Sequence, residues 1–155
     1  TASEMDRVNM EAATMIGARL ANSELNGSNL SSVNARGADF SNAEINGSNL
    51  SGGRFDRAQF RNASLTASHL RGGSFMGADF KGADFSGVRL LGVDLSGARG
   101  LTQDQLDDAC GDARLPPGLS LKSCGAVRSK RITVIRGMPA PPAPPAPPAP
   151  PAPRR

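Results

Sequence analysis

The sequence predicts a solenoid that turns one corner every five residues, closed on its C-terminal side by a single short helix and followed by a proline-rich tail. Three observations predict it. Between Met5 and Leu95, 18 of the 19 positions at multiples of five hold Met, Leu, Ile or Phe, with Ala35 the exception. The residue two places earlier is always Ala, Ser, Gly or Val. Glycine recurs two places later, and does so in every unit from Gly72 to Gly97. A repeat of this regularity dictates the architecture before any helix or strand is assigned.

Five is a poor period for ordinary secondary structure. A helix advances about 100° per residue, so successive large side chains would stand about 140° apart and form no stripe. A continuous strand alternates faces, so an odd repeat would send them to opposite sides. A corner in every unit returns each large residue to the interior. Glycine after the large residue fits such a corner, because a tight turn commonly needs positive φ. The small residue two places earlier is then the second inward position of a narrow interior.

Units such as Ala38-Asp39-Phe40-Ser41-Asn42, Ala78-Asp79-Phe80-Lys81-Gly82 and Ala83-Asp84-Phe85-Ser86-Gly87 resemble the A(D/N)LXX signature of pentapeptide-repeat proteins over residues 3–97. The resemblance implies an all-β fold: a right-handed quadrilateral parallel β-helix, four units per coil, with the central Leu or Phe inside. Nineteen units make about 4.75 coils, a tower roughly 23 Å tall at ~4.8 Å per coil. Residues 20 apart then stack. One inward column reads Leu20, Phe40, Phe60, Phe80; another reads Met10, Leu30, Leu50, Leu70, Leu90; Asn22, Asn42 and Asn62 fall on one corner, where an amide ladder can form. Ala35 is expected to leave a local gap.

The repeat body occupies residues 1–100, since Gly100 stands where a large side chain was due. Residues 101–126 form a cap and a Cys-bracketed loop. Thr102 with Gln105 is a capping box, Leu101 and Leu106 stand where a hydrophobic staple packs, and Gly111 is expected to close the helix. A solenoid end needs such a cover, because it otherwise exposes core and unpaired strand groups. The stretch from Gly100 to Asp112, followed by Leu115-Pro116-Pro117-Gly118-Leu119, resembles the segment after the repeats in some proteobacterial members of that family.

Cys110 and Cys124 are the only cysteines. They read as a structural disulfide closing a loop of ~15 residues, worth about 3 kcal/mol, as two free thiols, or as a redox pair, which the absence of CxxC spacing disfavours. A disulfide implies an oxidising compartment. Thr1 in place of Met suits removal of a signal peptide, as it does a trimmed chain. Together these point to the periplasm or cell envelope of a Gram-negative bacterium, with the cytoplasm as the alternative.

Residues 127–138 form a basic, β-prone connector, where Val127 and the run Ile132-Thr133-Val134-Ile135 alternate with or adjoin Arg128, Lys130, Arg131 and Arg136. It reads as a last strand or as an edge for a partner. From Pro139 to Pro153 a Pro-Pro-Ala rhythm runs to Arg154 and Arg155. Residues 139–155 are thus disordered or polyproline II, a spacer reaching about 47 Å or a docking strand.

Charge divides the chain. Residues 1–100 hold ten basic and ten acidic side chains, whereas residues 101–155 hold eight basic and four acidic ones. No apolar run approaches the roughly 20 residues of a membrane span. One histidine and two cysteines leave no material for a Cys/His metal cage, and no cofactor is expected. His69 has no triad-like companion, and Asp39, Asp79, Asp84 and Asp94 fall on outward positions where they serve turn hydrogen bonds. Catalysis is therefore the poorest reading. Some pentapeptide-repeat proteins protect or inhibit DNA gyrase, and that resemblance implies an acidic, DNA-mimicking tower; a neutral body disfavours it. Direct nucleic-acid binding is disfavoured by the lack of interleaved aromatics. The leading expectation is a non-catalytic scaffold or adaptor for protein partners. Met5, Met10 and Met15 form a first coil without a recognisable cap, which a partner or a second copy is expected to cover. Outward Met76 and Leu91 are weaker contact candidates.

Overall fold

A computed structural model describes residues 3–125. The sites proposed at Ile132, Val134, Pro139, Pro153, Arg154 and Arg155 lie outside the described residues. Residues Thr1–Gly125 form one compact unit, with the helix and loop after residue 100 belonging to the same body as the repeats.

Each five-residue unit makes one turn and one rung. In the unit around Phe40 the N–H of Ala43 donates to the Phe40 carbonyl at 3.0 Å, closing a turn over Ser41 and Asn42, and Asn42 takes φ +56°. Positive φ at the second central residue alone is the geometry of a type II turn. It recurs at every fifth residue from Arg7 to Gly92. Ten of those eighteen positions are glycine; the other eight, among them Arg57 and Ala67, hold a side chain in left-handed backbone. The frequent glycine therefore follows from the turn itself.

Rungs are parallel and spaced by 20 residues, which is four units per coil. Four columns of outward residues result: Glu4–Glu24–Glu44–Ser64–Asp84, Asn9–Asn29–Asn49–His69–Arg89, Thr14–Asn34–Arg54–Ser74–Asp94 and Arg19–Asp39–Gln59–Asp79–Arg99. Their backbones are tied on both sides, as where Phe40 N donates to Gln59 O at 2.7 Å and Gln59 N donates to Ala38 O at 2.9 Å.

The interior is filled by stacked like residues. Phe40, Phe60 and Phe80 lie nearly parallel with centroids 5.0 and 5.1 Å apart, and Phe55 stacks on Phe75 at 5.0 Å. Leu30, Leu50, Leu70 and Leu90 are fully buried in another column. Leu20, Met5, Met10 and Met15 are only partly buried, because the first coil has a neighbour on one side alone. At Ala35, Val33 and Ala35 are both fully buried, a larger second inward residue accompanying the smaller central one. One coil later the exchange reverses. A Cβ at Gly53 would collide with Phe55 Cε2, and one at Gly73 would lie 2.8 Å from Phe75 Cε2.

A fourth inward column is polar. Ser48 Oγ accepts from Ser28 N at 3.0 Å and donates to Leu25 O at 2.7 Å, and Ser68 repeats the arrangement one coil on. Each hydroxyl stitches successive coils and is itself paired, whereas Asn34 Oδ1, in an outward column, is buried without a partner. Outside, Asn42 and Asn62 donate to Asn22 and Asn42 at 3.1 and 3.3 Å, forming an amide ladder.

The glycines can be separated by mechanism. Gly72 sits at φ +63° with open space around its Cβ position, so Gly72→Ala is expected to cost about 1 kcal/mol through backbone strain alone. Gly53 has no positive φ but meets Phe55, and Gly53→Ala is expected to cost about 1–3 kcal/mol through overpacking. Urea unfolding midpoints of the two variants check both figures.

Candidate functional site

The register decides which side chains share a surface, so the candidate site is built column by column. The first two columns, with the turn residues that follow them, carry Arg7, Arg71 and Arg89 against Glu4, Asp6, Glu11, Glu24, Glu44 and Asp84. The last two carry Arg19, Arg36, Arg54, Arg57, Arg61, Lys81 and Arg99 against Asp39, Asp56, Asp79 and Asp94. The neutral body anticipated from the sequence is thus the sum of an acidic half and a basic half. Nothing in the linear order of charges reveals this; only the 20-residue stacking does.

Most outward carboxylates are engaged in turns. Asp39, Asp79, Asp84 and Asp94 each accept from the backbone N–H two residues on, at 2.9 to 3.1 Å. Hydrogen bonds from the Ser86 and Ser96 hydroxyls and N–H groups hold Asp84 and Asp94 below the ordinary aspartate value. At Asp56, partial burial pushes the pKa up, but hydrogen bonds from Ser74, the Met76 N–H and Arg36 outweigh it and leave the carboxyl lowered. Asp79 is likewise lowered, burial being outweighed by Arg61 and the Lys81 N–H. All four carboxyls are held as anions, which suits structure and recognition and not proton transfer near neutrality. Arg61, stacked beside Lys81, is drawn to Asp79 at 2.7 Å, and Arg36 to Asp56 at 3.3 Å. His69 is exposed between Asn49 and Arg89. Glu4, Asp6 and Glu24 bring exposed carboxylates within 4.8 Å of one another; Asp6 already accepts from Asn26 N at 2.9 Å.

Helix α1, Gln103–Asp107, begins with the Thr102–Gln105 capping box and buries Leu106. Gln105 has a second role that its place in the capping box did not signal: its Nε2 donates to the carbonyls of Phe80 and Ala83 at 2.9 and 2.7 Å. The Ala83 carbonyl is the one that the next coil would have engaged, as Asp84 N engages Ala63 O at 2.9 Å, whereas the Phe80 carbonyl also accepts from Ala83 N within its own turn. The expectation for Gly111 is corrected. Asp108 takes the C-cap position in right-handed backbone, and Gly111 belongs to β2, Cys110–Gly111, which pairs in parallel with β1, Arg89–Leu90. A Cβ there would collide with the Leu90 carbonyl. The second column thereby gains Cys110 and Lys122 as further rungs, and Arg114 extends the third.

Cys110 and Cys124 are joined in a disulfide with Cα atoms 4.9 Å apart. It locks the last segment onto the rung at Arg89.

Two exposed apolar side chains stand on one turn column, Ile16–Arg36–Asp56–Met76. Ile16 and Met76 are each 61% exposed. Met76 was a sequence candidate, whereas Ile16 was hidden beside Met15 in the uneven first coil. Leu91 is half-buried.

A family model described as pentapeptide repeats, in eight copies, matches residues 3–42, 13–52 and 58–97, together more than half of the chain. No curated protein matches the chain. Among solved structures, it is similar to a pentapeptide repeat protein from the thylakoid lumen of Arabidopsis thaliana, with TM-score 0.65 and 24% identity over 70% of this chain and 78% of that one. This likeness is one of fold. A pentapeptide repeat protein from the cyanobacterium Cyanothece 51142 matches at TM-score 0.39 and 22% identity, covering 73% and 84%. A plasmid-mediated fluoroquinolone resistance protein matches at 0.39 and 17%, covering 77% and 82%.

Two outcomes are expected. Reducing the Cys110–Cys124 bond should lower unfolding stability by about 3 kcal/mol, read as a shift in urea midpoint with and without reductant. Because the folded-state pKa values of Asp56, Asp79, Asp84 and Asp94 are lowered from 3.8, their contribution is complete above the unfolded value and is lost as pH falls through the folded values. Asp56→Asn should therefore flatten the fall in stability below about pH 4, measured by urea unfolding across that range.

Proposed function

The chain belongs to the pentapeptide-repeat family, and we propose that it is a non-catalytic scaffold or adaptor that binds other proteins through its faces, its ends and its Pro-rich tail. The observation that carries this reading is the sorting of charge into an acidic half and a basic half on a body whose rungs are hydrogen-bonded at every coil. Such a surface offers two electrostatically distinct docking sides in fixed geometry, which favours specificity and encounter over chemistry. The lowered carboxyl pKa values supply anions and no proton donor near neutrality, in keeping with a non-enzymatic role.

Four units per coil support a quadrilateral cross-section with about 4.75 coils, and family membership supports the right-handed coil. Gln105 and the β1–β2 pair support a capping role for residues 101–125. The partly buried methionines of the first coil support coverage of that end by a partner subunit or a second copy. The disulfide supports an oxidising location, the periplasm or cell envelope of a Gram-negative bacterium. No helix among the described residues is long and apolar enough to cross a membrane.

A DNA-mimicking inhibitor or protector of DNA gyrase is the second reading, favoured only by the Glu4–Glu24–Glu44–Asp84 column. The basic half works against it, since a cationic DNA-binding saddle needs an anionic partner on every face it grips. A supercoiling assay separates the two.

For the scaffold, full-length chain immobilised under non-reducing conditions is expected to retain discrete proteins from an envelope fraction. Deleting residues 139–155 is expected to abolish that capture with the melting temperature nearly unchanged. A large drop in melting temperature, or capture undiminished by the deletion, refutes the role given to the tail.

A further inference from the structure

The geometry points to a binding groove for an extended acidic peptide along the turn column that begins at Ile16, a proposal that rests on the scaffold reading and gives it a partner chemistry. Among the described residues, the two large apolar side chains that stand exposed, Ile16 and Met76, lie on the same one of four turn columns. They are three coils apart, ~14 Å at ~4.8 Å per coil. In an extended peptide rising ~3.4 Å per residue, side chains at i and i+4 point the same way and span that distance. Met76 is a pliable apolar contact of the kind that accepts varied partners.

Beside these anchors, at the same corner, Gly17, Gly37, Gly77 and Gly97 leave a channel that Arg57 occupies and that Met76 enters, its Cγ 3.3 Å from the position a Gly97 side chain would take. The position a Gly77 side chain would occupy lies 3.5 Å from Arg57 Cγ and 3.9 Å from Arg99 Nη2. The stem of Arg57 and the guanidinium of Arg99 thus border the channel, and neither arginine forms an ion pair among the described residues. Asp56, the acidic residue of the column, is half-buried and already engaged by Arg36, Ser74 and the Met76 N–H. The channel is therefore cationic between two apolar posts, and its complement is apolar-x-acidic-x-apolar. Residues 126–155 carry six basic and no acidic side chains, so the chain's own C-terminal part has the wrong sign.

The probe is a fluorescein-labelled peptide Ser-Leu-Asp-Glu-Asp-Leu-Ser, titrated with full-length protein at low salt and followed by fluorescence anisotropy. Saturable binding is expected, weakened at least tenfold by Met76→Ser and by Arg57→Gly. The latter variant removes the guanidinium while relieving a positive φ, so lost binding there cannot be put down to misfolding. Arg89→Glu, in the acidic half, should not weaken it. The proposal is overturned if the variants bind like the unsubstituted chain, if a peptide with both leucines replaced by serine binds equally well, if a (dT)15 oligonucleotide binds more tightly, or if sedimentation shows that a second copy already covers the column. Envelope-protein capture by a chain that does not bind the peptide overturns this groove and leaves the scaffold standing, whereas failure of the unsubstituted chain to capture any protein overturns the scaffold itself.

Discussion

The whole molecule depends on one backbone constraint: a turn with positive φ every fifth residue, which brings each rung into hydrogen-bonding register with the rung 20 residues on. Once the turns are set, amides donate to carbonyls of neighbouring coils along the whole body, and side chains have no freedom to choose their neighbours. Like stacks on like because the coil repeats. Phenylalanine meets phenylalanine, serine meets serine and asparagine meets asparagine, and the ladders add aromatic stacking and side-chain hydrogen bonds to the backbone ones. Where a central residue changes size, the second inward position of the same unit compensates, as Val33 with Ala35 and Gly53 with Phe55 show.

The same constraint determines how the body ends. A coil without a successor exposes carbonyls that the next rung would have engaged, and unsatisfied groups of that kind are costly when buried. Here two devices take over. Gln105 substitutes a side-chain amide for the missing backbone donor, and β2 restores true rungs on the second column, held by the disulfide at its first residue. The close approach of Gly111 to Leu90 is the geometric cost of bringing the chain back into register after the helix.

Function follows from the outward residues, which the backbone distributes but does not otherwise use. Aspartates in the turns serve their own backbones, and seven of the ten basic side chains of residues 1–100 stand on one half. The body has one acidic and one basic side, with two apolar posts on a single corner, and the scaffold role proposed for it rests on that arrangement. Exposed ion pairs such as Arg36–Asp56 and Arg61–Asp79 add little stability.

The period of five, the inward large and small positions, the turns, the capping box and the Asn22–Asn42–Asn62 ladder were all legible in the residues, because each depends on spacing along the chain. The pairing of Cys110 with Cys124 was one reading among three until the chain path placed the two together. Other features required the tertiary structure. Gly111 could not be read as a strand residue, since its need for glycine comes from the Leu90 carbonyl, a full coil away. Ile16 could not be separated from the uneven first units, since its significance comes from standing in line with Met76. The residues by themselves determined a five-residue unit that buries one large side chain per corner. Only the folded coil decided that a chain of zero net charge over its first hundred residues would present one acidic and one basic half, because charge is summed along the sequence but is felt across rungs 20 residues apart.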